Sequence, residues 1–153
     1  ADREIESRCG VPISFIFEKE GEAGFRARET QMLAELTAKD HVVVATGGGA
    51  PMFEINRKLL NRGLVIQLAS SVSDIIERTR FDSARPLLAT DDRASRIREI
   101  MLERGPVYDE VCNEKVITSR KPIDVVVEKI LALESVREIV DCARQHKNEG
   151  GDK

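Results

Sequence analysis

The stretch His41–Ala50, HVVVATGGGA, limits the folds open to this chain more than any other. Three consecutive valines have strong β-propensity. Turn chemistry stops the run at once, for Thr46 is followed by Gly47, Gly48 and Gly49. A short, uninterrupted apolar strand suits a parallel sheet covered on both faces. Open α/β sheets bind ligands beyond the carboxyl ends of their strands, where a backbone without side chains can offer its amides to an anion or a hydroxyl. The same triplet also reads as a plain strand-to-loop turn that needs positive φ.

The flanking pattern extends this reading. Asp2 predicts the N-cap of a short helix over residues 2–10, with Gly10 as its stop. Pro12 opens a second short helix with Ile13, Phe15, Ile16 and Phe17 inward. From Glu22 to about Thr37, Phe25, Met32, Leu33 and Leu36 recur at helical spacing. Arg26 and Glu29 share a face of that helix. They read either as a surface ion pair of little worth or as an acid that orients a guanidinium toward a carboxylate ligand. After the valine strand come a helix over 53–61, a strand over 64–68, and helix caps at Ser70–Ser73. Strands alternating with helices imply a parallel sheet with crossover helices.

Residues 77–93 are dense in arginine (78, 80, 85 and 93). They read as a solvated charged loop or as a mobile loop over a polyanion. Asp91 or Asp92 then caps a helix that Gly105-Pro106 should end, which puts Arg104 at a helix C-terminus. A third strand is expected at Val116-Ile117. Pro122 opens one last helix running to about Gln145.

Composition narrows the classes. The 153 residues suffice for one domain with its own core. A net charge of −3 argues against a basic nucleic-acid binder. No apolar run approaches the roughly 20 residues of a membrane helix. Cys9, Cys112 and Cys142 have neither metal-ligand spacing nor a disulfide framework, so a reducing cytoplasm is expected. With only His41 and His146, no histidine-rich metal site is expected.

Five segments in order, DREIESRCG, IFEKEGEAGFRARE, ATGGGA, RTRFDSARPLL and ERGPVYDEV, resemble the shikimate kinase family of small P-loop kinases. The likeness runs from Asp2 to about Leu133. It implies a three-layer α/β/α fold with a parallel sheet in the order 2-3-1-4-5, and transfer of the ATP γ-phosphate to the 3-hydroxyl of shikimate with Mg²⁺. Asp2 resembles the second acid of the family's Asp-x-Asp pair, which holds the shikimate hydroxyls. Arg26 and Arg104 resemble the two carboxylate-binding arginines, and Glu29 the acid supporting the first. Gly47, Gly48 and Gly49 match the glycine motif that approaches shikimate, and Phe17 and Phe25 the residues near its ring. Arg85 resembles the lid arginine that reaches the transferring phosphate. Arg78 matches an arginine packed on adenine, and the Arg120–Pro122 loop falls where the family lines the other side of that base.

The family's Gly-x-x-x-x-Gly-Lys-[Ser/Thr] loop, with its strand and helix, does not occur in these residues, nor does the first acid of the Asp-x-Asp pair. The expectation is a truncated kinase without strand 1 and without appreciable ATP turnover of its own. Residues 1–134 would form the kinase-like domain and 135–153 a helical extension with a polar tail. A cytoplasmic monomer with shikimate and ATP as partners is expected, and no nucleic acid or membrane. A non-catalytic binding module for a carboxylated polyol or a protein is the alternative. A related small-molecule kinase, such as a gluconate kinase, is a third reading, against which Arg26 and Arg104 together with the ATGGGA motif argue.

Overall fold

The computed structural model describes residues 1–79 and 92–149, with side chains described as far as Gln145. The chain divides into two compact units, Ala1–Gly63 and Leu64–Lys153.

The first unit starts with α1 (Asp2–Cys9), which carries Asp2 and Glu4 at its positive end and Arg8 at its negative end. Gly10 closes it at φ 68°, and its amide donates to the Glu6 carbonyl. Asp2 is not the cap expected of it. Ala1 holds that position with no side-chain bond, and Asp2 is the first helical residue. Helix α2 (Ile13–Leu36) contains both of the next two expected helices, with no loop between them. Gly21 divides it at φ 70° and ψ −174°, a conformation that glycine alone adopts readily.

Ile16, Phe25 and Met32 of α2 close on Ile5 of α1, with Cys9, Val11, Ile13, Phe17 and Leu36 packed around them. Phe15, expected inside, is exposed instead. Leu33 faces a second cluster with Ala50 and with Leu59 of α3 (Glu54–Leu60), and Val44 packs at its margin. The expected valine strand does not form. Residues 42–47 carry no ladder hydrogen bonds among the described residues, and Val43 is fully exposed. Propensity favours an extended chain, but a strand exists only once a neighbour takes up its backbone groups.

The second unit holds a parallel pair, β1 (Ile66–Ala69) and β2 (Glu114–Ile117), with Leu68 opposite Val116. The α/β class and the parallel sense are as expected. The sheet among the described residues has two strands, where the resemblance, with strand 1 absent, implied four. Between the strands lie α4 (Val72–Arg78), whose N-cap Ser71 accepts from the Asp74 amide, and α5 (Arg93–Val111), capped by Asp92 onto the Ser95 amide.

Gly105 and Pro106 do not stop α5. It continues to Val111, so Arg104 lies inside the helix and not at its end. Pro106 forfeits one hydrogen bond to the carbonyl of Leu102. That residue is four-fifths exposed, where water can serve the carbonyl, and buried Val111 anchors the following turns. The expected single last helix is two, α6 (Ile123–Ala132) and α7 (Glu134–Glu149). Leu133 separates them by leaving the helical region at ψ 136°. The Ser135 hydroxyl donates to Glu114 Oε1 at 3.0 Å and ties the start of α7 to β2.

Candidate carboxylate site

The helical spacing predicted for Arg26 and Glu29 is realised in the second segment of α2. Arg26 Nη1 donates to Glu29 Oε2 at 2.9 Å. Glu29 is almost wholly enclosed, its side chain 2% exposed, while Arg26 keeps 15%. Glu22, one turn earlier, accepts from Arg26 Nε at 3.2 Å and from Nη2 at 3.0 Å through the same oxygen. Three of the five guanidinium N–H groups are thus engaged. The cation also lies 5.2 Å from the Phe25 ring centre and 5.5 Å from that of Phe53, within range of cation–π attraction. Phe17 meets Phe25 at 4.8 Å between centroids.

The glycine turn closes against this pair. A Cβ on Gly49 would stand 2.7 Å from Arg26 Nη2, 2.8 Å from Nη1 and 3.0 Å from Cζ. On Gly47 it would meet Glu29 Oε1 at an ordinary 3.8 Å. Gly49 has φ −85°, so close approach is what demands glycine there, not backbone strain. The nitrogen of Ala1 donates to the Ala45 carbonyl at 2.6 Å and joins the start of α1 to the segment leading into the glycines. Asp2 is exposed, and its charge reaches Glu29. Asp2, Arg26, Glu29, Gly47 and Gly49 therefore belong to one neighbourhood of the first unit.

Burial is the largest influence on Glu29 and raises its pKa above the ordinary glutamate value. The Arg26 hydrogen bond and charge act the other way, and Asp2 adds to the rise. For Arg26, burial is the largest single influence and opposes its charge, but hydrogen bonds to Glu29 and Glu22 outweigh it and hold the group more firmly protonated. The sign for stability follows from Glu29. An acid whose folded pKa exceeds its unfolded one destabilises the fold while ionised, and that penalty fades as pH falls through the folded value. Wild type should therefore gain stability relative to Glu29→Gln as pH falls from about 7 toward 4. Paired denaturant titrations measure this, and a pH-independent difference would contradict the burial.

Sequence reasoning missed the residues that hold the glycine turn from behind. Asn56, fully buried on α3, donates from Nδ2 to the Ala50 carbonyl at 3.0 Å. Arg57 Nη1 donates to the Pro51 and Met52 carbonyls. An asparagine in a helix carries no periodic signal that sets it apart from a solvated one. Asn56→Ala leaves the Ala50 carbonyl with only the longer bond from the Phe53 amide at 3.4 Å and should cost about 1 kcal/mol in chemical unfolding. A loss within a few tenths would contradict the role.

The remaining expected site residues belong to the second unit or fall outside the described residues. Arg104 has a buried Nε without a hydrogen-bond partner among the described residues. Arg78 Nη2 donates to the Thr118 carbonyl at 2.9 Å. Arg120 takes a positive φ of 52°, with Nε 3.9 Å from Asp74 Oδ1. Arg85 lies outside the described residues. Among those residues no group of three or more His, Cys, Asp or Glu side chains is arranged to hold a metal ion.

Comparison with known proteins gives one answer. The shikimate kinase family model matches residues 1–134. Shikimate kinases of Bordetella avium and Bordetella pertussis are 46% and 47% identical over 131 residues, 85% of this chain. The chain spans 63% and 62% of those two relatives' lengths. The shikimate kinase of Ralstonia nicotianae is 47% identical over 141 residues, 92% of this chain and 74% of that protein. Among solved structures, shikimate kinase from Acinetobacter baumannii, determined in complex with shikimate, is 40% identical with a TM-score of 0.79. The match covers 85% of this chain and 74% of that one. The Aquifex aeolicus enzyme, 35% identical with a TM-score of 0.72, covers 85% and 76% in the same order. The chain belongs to the shikimate kinase family.

Proposed function

We propose that these residues form the shikimate-binding part of a kinase that transfers the ATP γ-phosphate to the 3-hydroxyl of shikimate. The observation that carries the reading is a guanidinium fixed by a buried acid and backed by Gly49, where an added side chain would collide with it. A planar, permanently charged fork matches a carboxylate better than an ammonium does. The shikimate-bound relative supports the choice of acid.

In this reading Arg26 takes the ring carboxylate and Glu29 keeps the guanidinium in place. Arg104 resembles the family's second carboxylate-binding arginine, and its buried Nε, without a hydrogen-bond partner among the described residues, is a donor in need of an acceptor. Gly47, Gly48 and Gly49 let the backbone approach the ring. Asp2, at the exposed start of α1, accepts a hydrogen bond from a ring hydroxyl and is suited to withdraw its proton. Arg78 and Arg120 serve the nucleotide, and Arg85 the transferring phosphate. Aromatic amino-acid biosynthesis in the cytoplasm, by a monomer, completes the proposal.

The residues present do not fit the triphosphate. No Gly-x-x-x-x-Gly-Lys-[Ser/Thr] occurs in the 153 residues to hold ATP and its Mg²⁺. The polypeptide alone is expected to bind shikimate and to release no ADP with shikimate, ATP and Mg²⁺. Calorimetry and a coupled ADP assay test both halves. Shikimate-dependent ADP release would overturn the expected inactivity. Failure to bind shikimate, with uptake of other carboxylated polyols, would favour the binding-module reading.

A further inference from the structure

Arg26 is held by two acids with opposite surroundings. Glu29 is enclosed, whereas Glu22 is 60% exposed, on the solvent side of the guanidinium. Glu22 spends a single oxygen on the Nε and Nη2 edge of the fork, the edge that accepts a carboxylate in bidentate fashion. The other approach, toward Nη1 and Nη2 together, runs through the backbone of Gly49, since a single added carbon there already falls within 2.8 Å of both nitrogens. Nη1 is in addition pulled toward Glu29. A bound carboxylate is thus directed to the edge that Glu22 now covers.

Glu22 is also the one of the two acids positioned to withdraw. It follows Gly21, whose φ of 70° and ψ of −174° divide α2, so it heads the second helical segment at a break. A Cβ on Gly24 would collide with Glu20 at 2.4 Å, which shows how closely the chain folds back around that break. Glu22 makes no other hydrogen bond with the described side chains that would hold it in place.

From this geometry we propose that Glu22 is an internal stand-in for the substrate carboxylate, occupying the Arg26 edge in the empty site and giving it up when the ligand carboxylate binds. The inference rests on the shikimate-binding reading and adds to it. The guanidinium stays desolvated and oriented between turnovers, and any ligand without a carboxylate fails to displace Glu22. An internal competitor lowers apparent affinity by the fraction of molecules it closes. An exposed i,i+4 pair is weak, so its removal should tighten binding only about two- to fivefold.

The test is calorimetric titration of shikimate into wild type, Glu22→Gln and Glu22→Ala, with thermal melts to show that each is folded. Both variants should bind about two- to fivefold more tightly. The ¹⁵N-detected Arg26 Nε–H signal should move more on ligand addition in Glu22→Gln than in wild type, because wild type exchanges one carboxylate for another whereas the variant's edge begins without an anion. Unchanged or weaker binding in both folded variants would overturn the stand-in role and leave Glu22 a mere support for Arg26. Wild type that binds no shikimate at all would overturn the shikimate-binding reading beneath it, a failure recognisable before any variant is compared.

Discussion

Arg26→Ala is expected to remove measurable shikimate binding and to destabilise the first unit by about 3 kcal/mol. Two physical effects act together. The ligand carboxylate loses its fixed fork, and Glu29 is left enclosed without the cation that holds it ionised. Breaking an enclosed pair on one side costs about 3–5 kcal/mol; the low end applies because Arg26 retains some solvent contact. The double variant Arg26→Ala/Glu29→Gln separates the effects. It should recover much of the stability, since no unpaired charge remains, and none of the binding. Arg26→Lys should keep the charge and still bind poorly, because a point-like ammonium cannot replace a planar fork held at three of its N–H groups. Denaturant melts beside calorimetry measure both quantities. Full affinity in Arg26→Lys would remove the geometric part of the explanation.

Gly49→Val should weaken shikimate binding on the order of a hundredfold and also lower the melting temperature, since the fork that pairs enclosed Glu29 has to shift. The added Cβ falls 2.7–3.0 Å from three atoms of the guanidinium, so Arg26 has to move. A φ of −85° is open to any residue, so the loss comes from the displaced guanidinium and not from backbone strain. The fork is pushed away from both Glu29 and the ligand. Gly47→Ala is the internal control. Its Cβ would sit 3.8 Å from Glu29 Oε1, an ordinary contact, and affinity should stay within about threefold. Equal losses at the two glycines would mean that backbone freedom, not the approach of Arg26, decides.

Much of the site could be read before any coordinates because it is local. Arg26 and Glu29 are three residues apart on a helix whose apolar period is clear, so their pairing follows from helical geometry. The stop at Gly10 and the cap at Ser71 are equally local. What escaped depends on distant partners or on competing local preferences. The valines have the right propensity, but strand formation depends on a neighbour outside the run. Gly105-Pro106 carries a strong stop signal that the anchoring of Val111 overrides. Leu133 divides the last helical stretch although nothing in its residue type announces a break. Asn56 acquires its role only because α3 turns back onto the Ala50 carbonyl, and Glu22 only because its carboxylate reaches the exposed edge of Arg26.

In the proposed function the Arg26 cluster recognises a carboxylate. The most direct measurement is competitive calorimetry of shikimate against its methyl ester, on wild type and on Arg26→Lys. The ester keeps the ring and every hydroxyl and loses only the negative charge. Wild type should prefer the acid by at least about a hundredfold, in keeping with a charge-assisted, bidentate contact, and Arg26→Lys should lose most of that preference. Equal affinity of wild type for acid and ester, or a preference that survives intact in Arg26→Lys, would contradict the assignment.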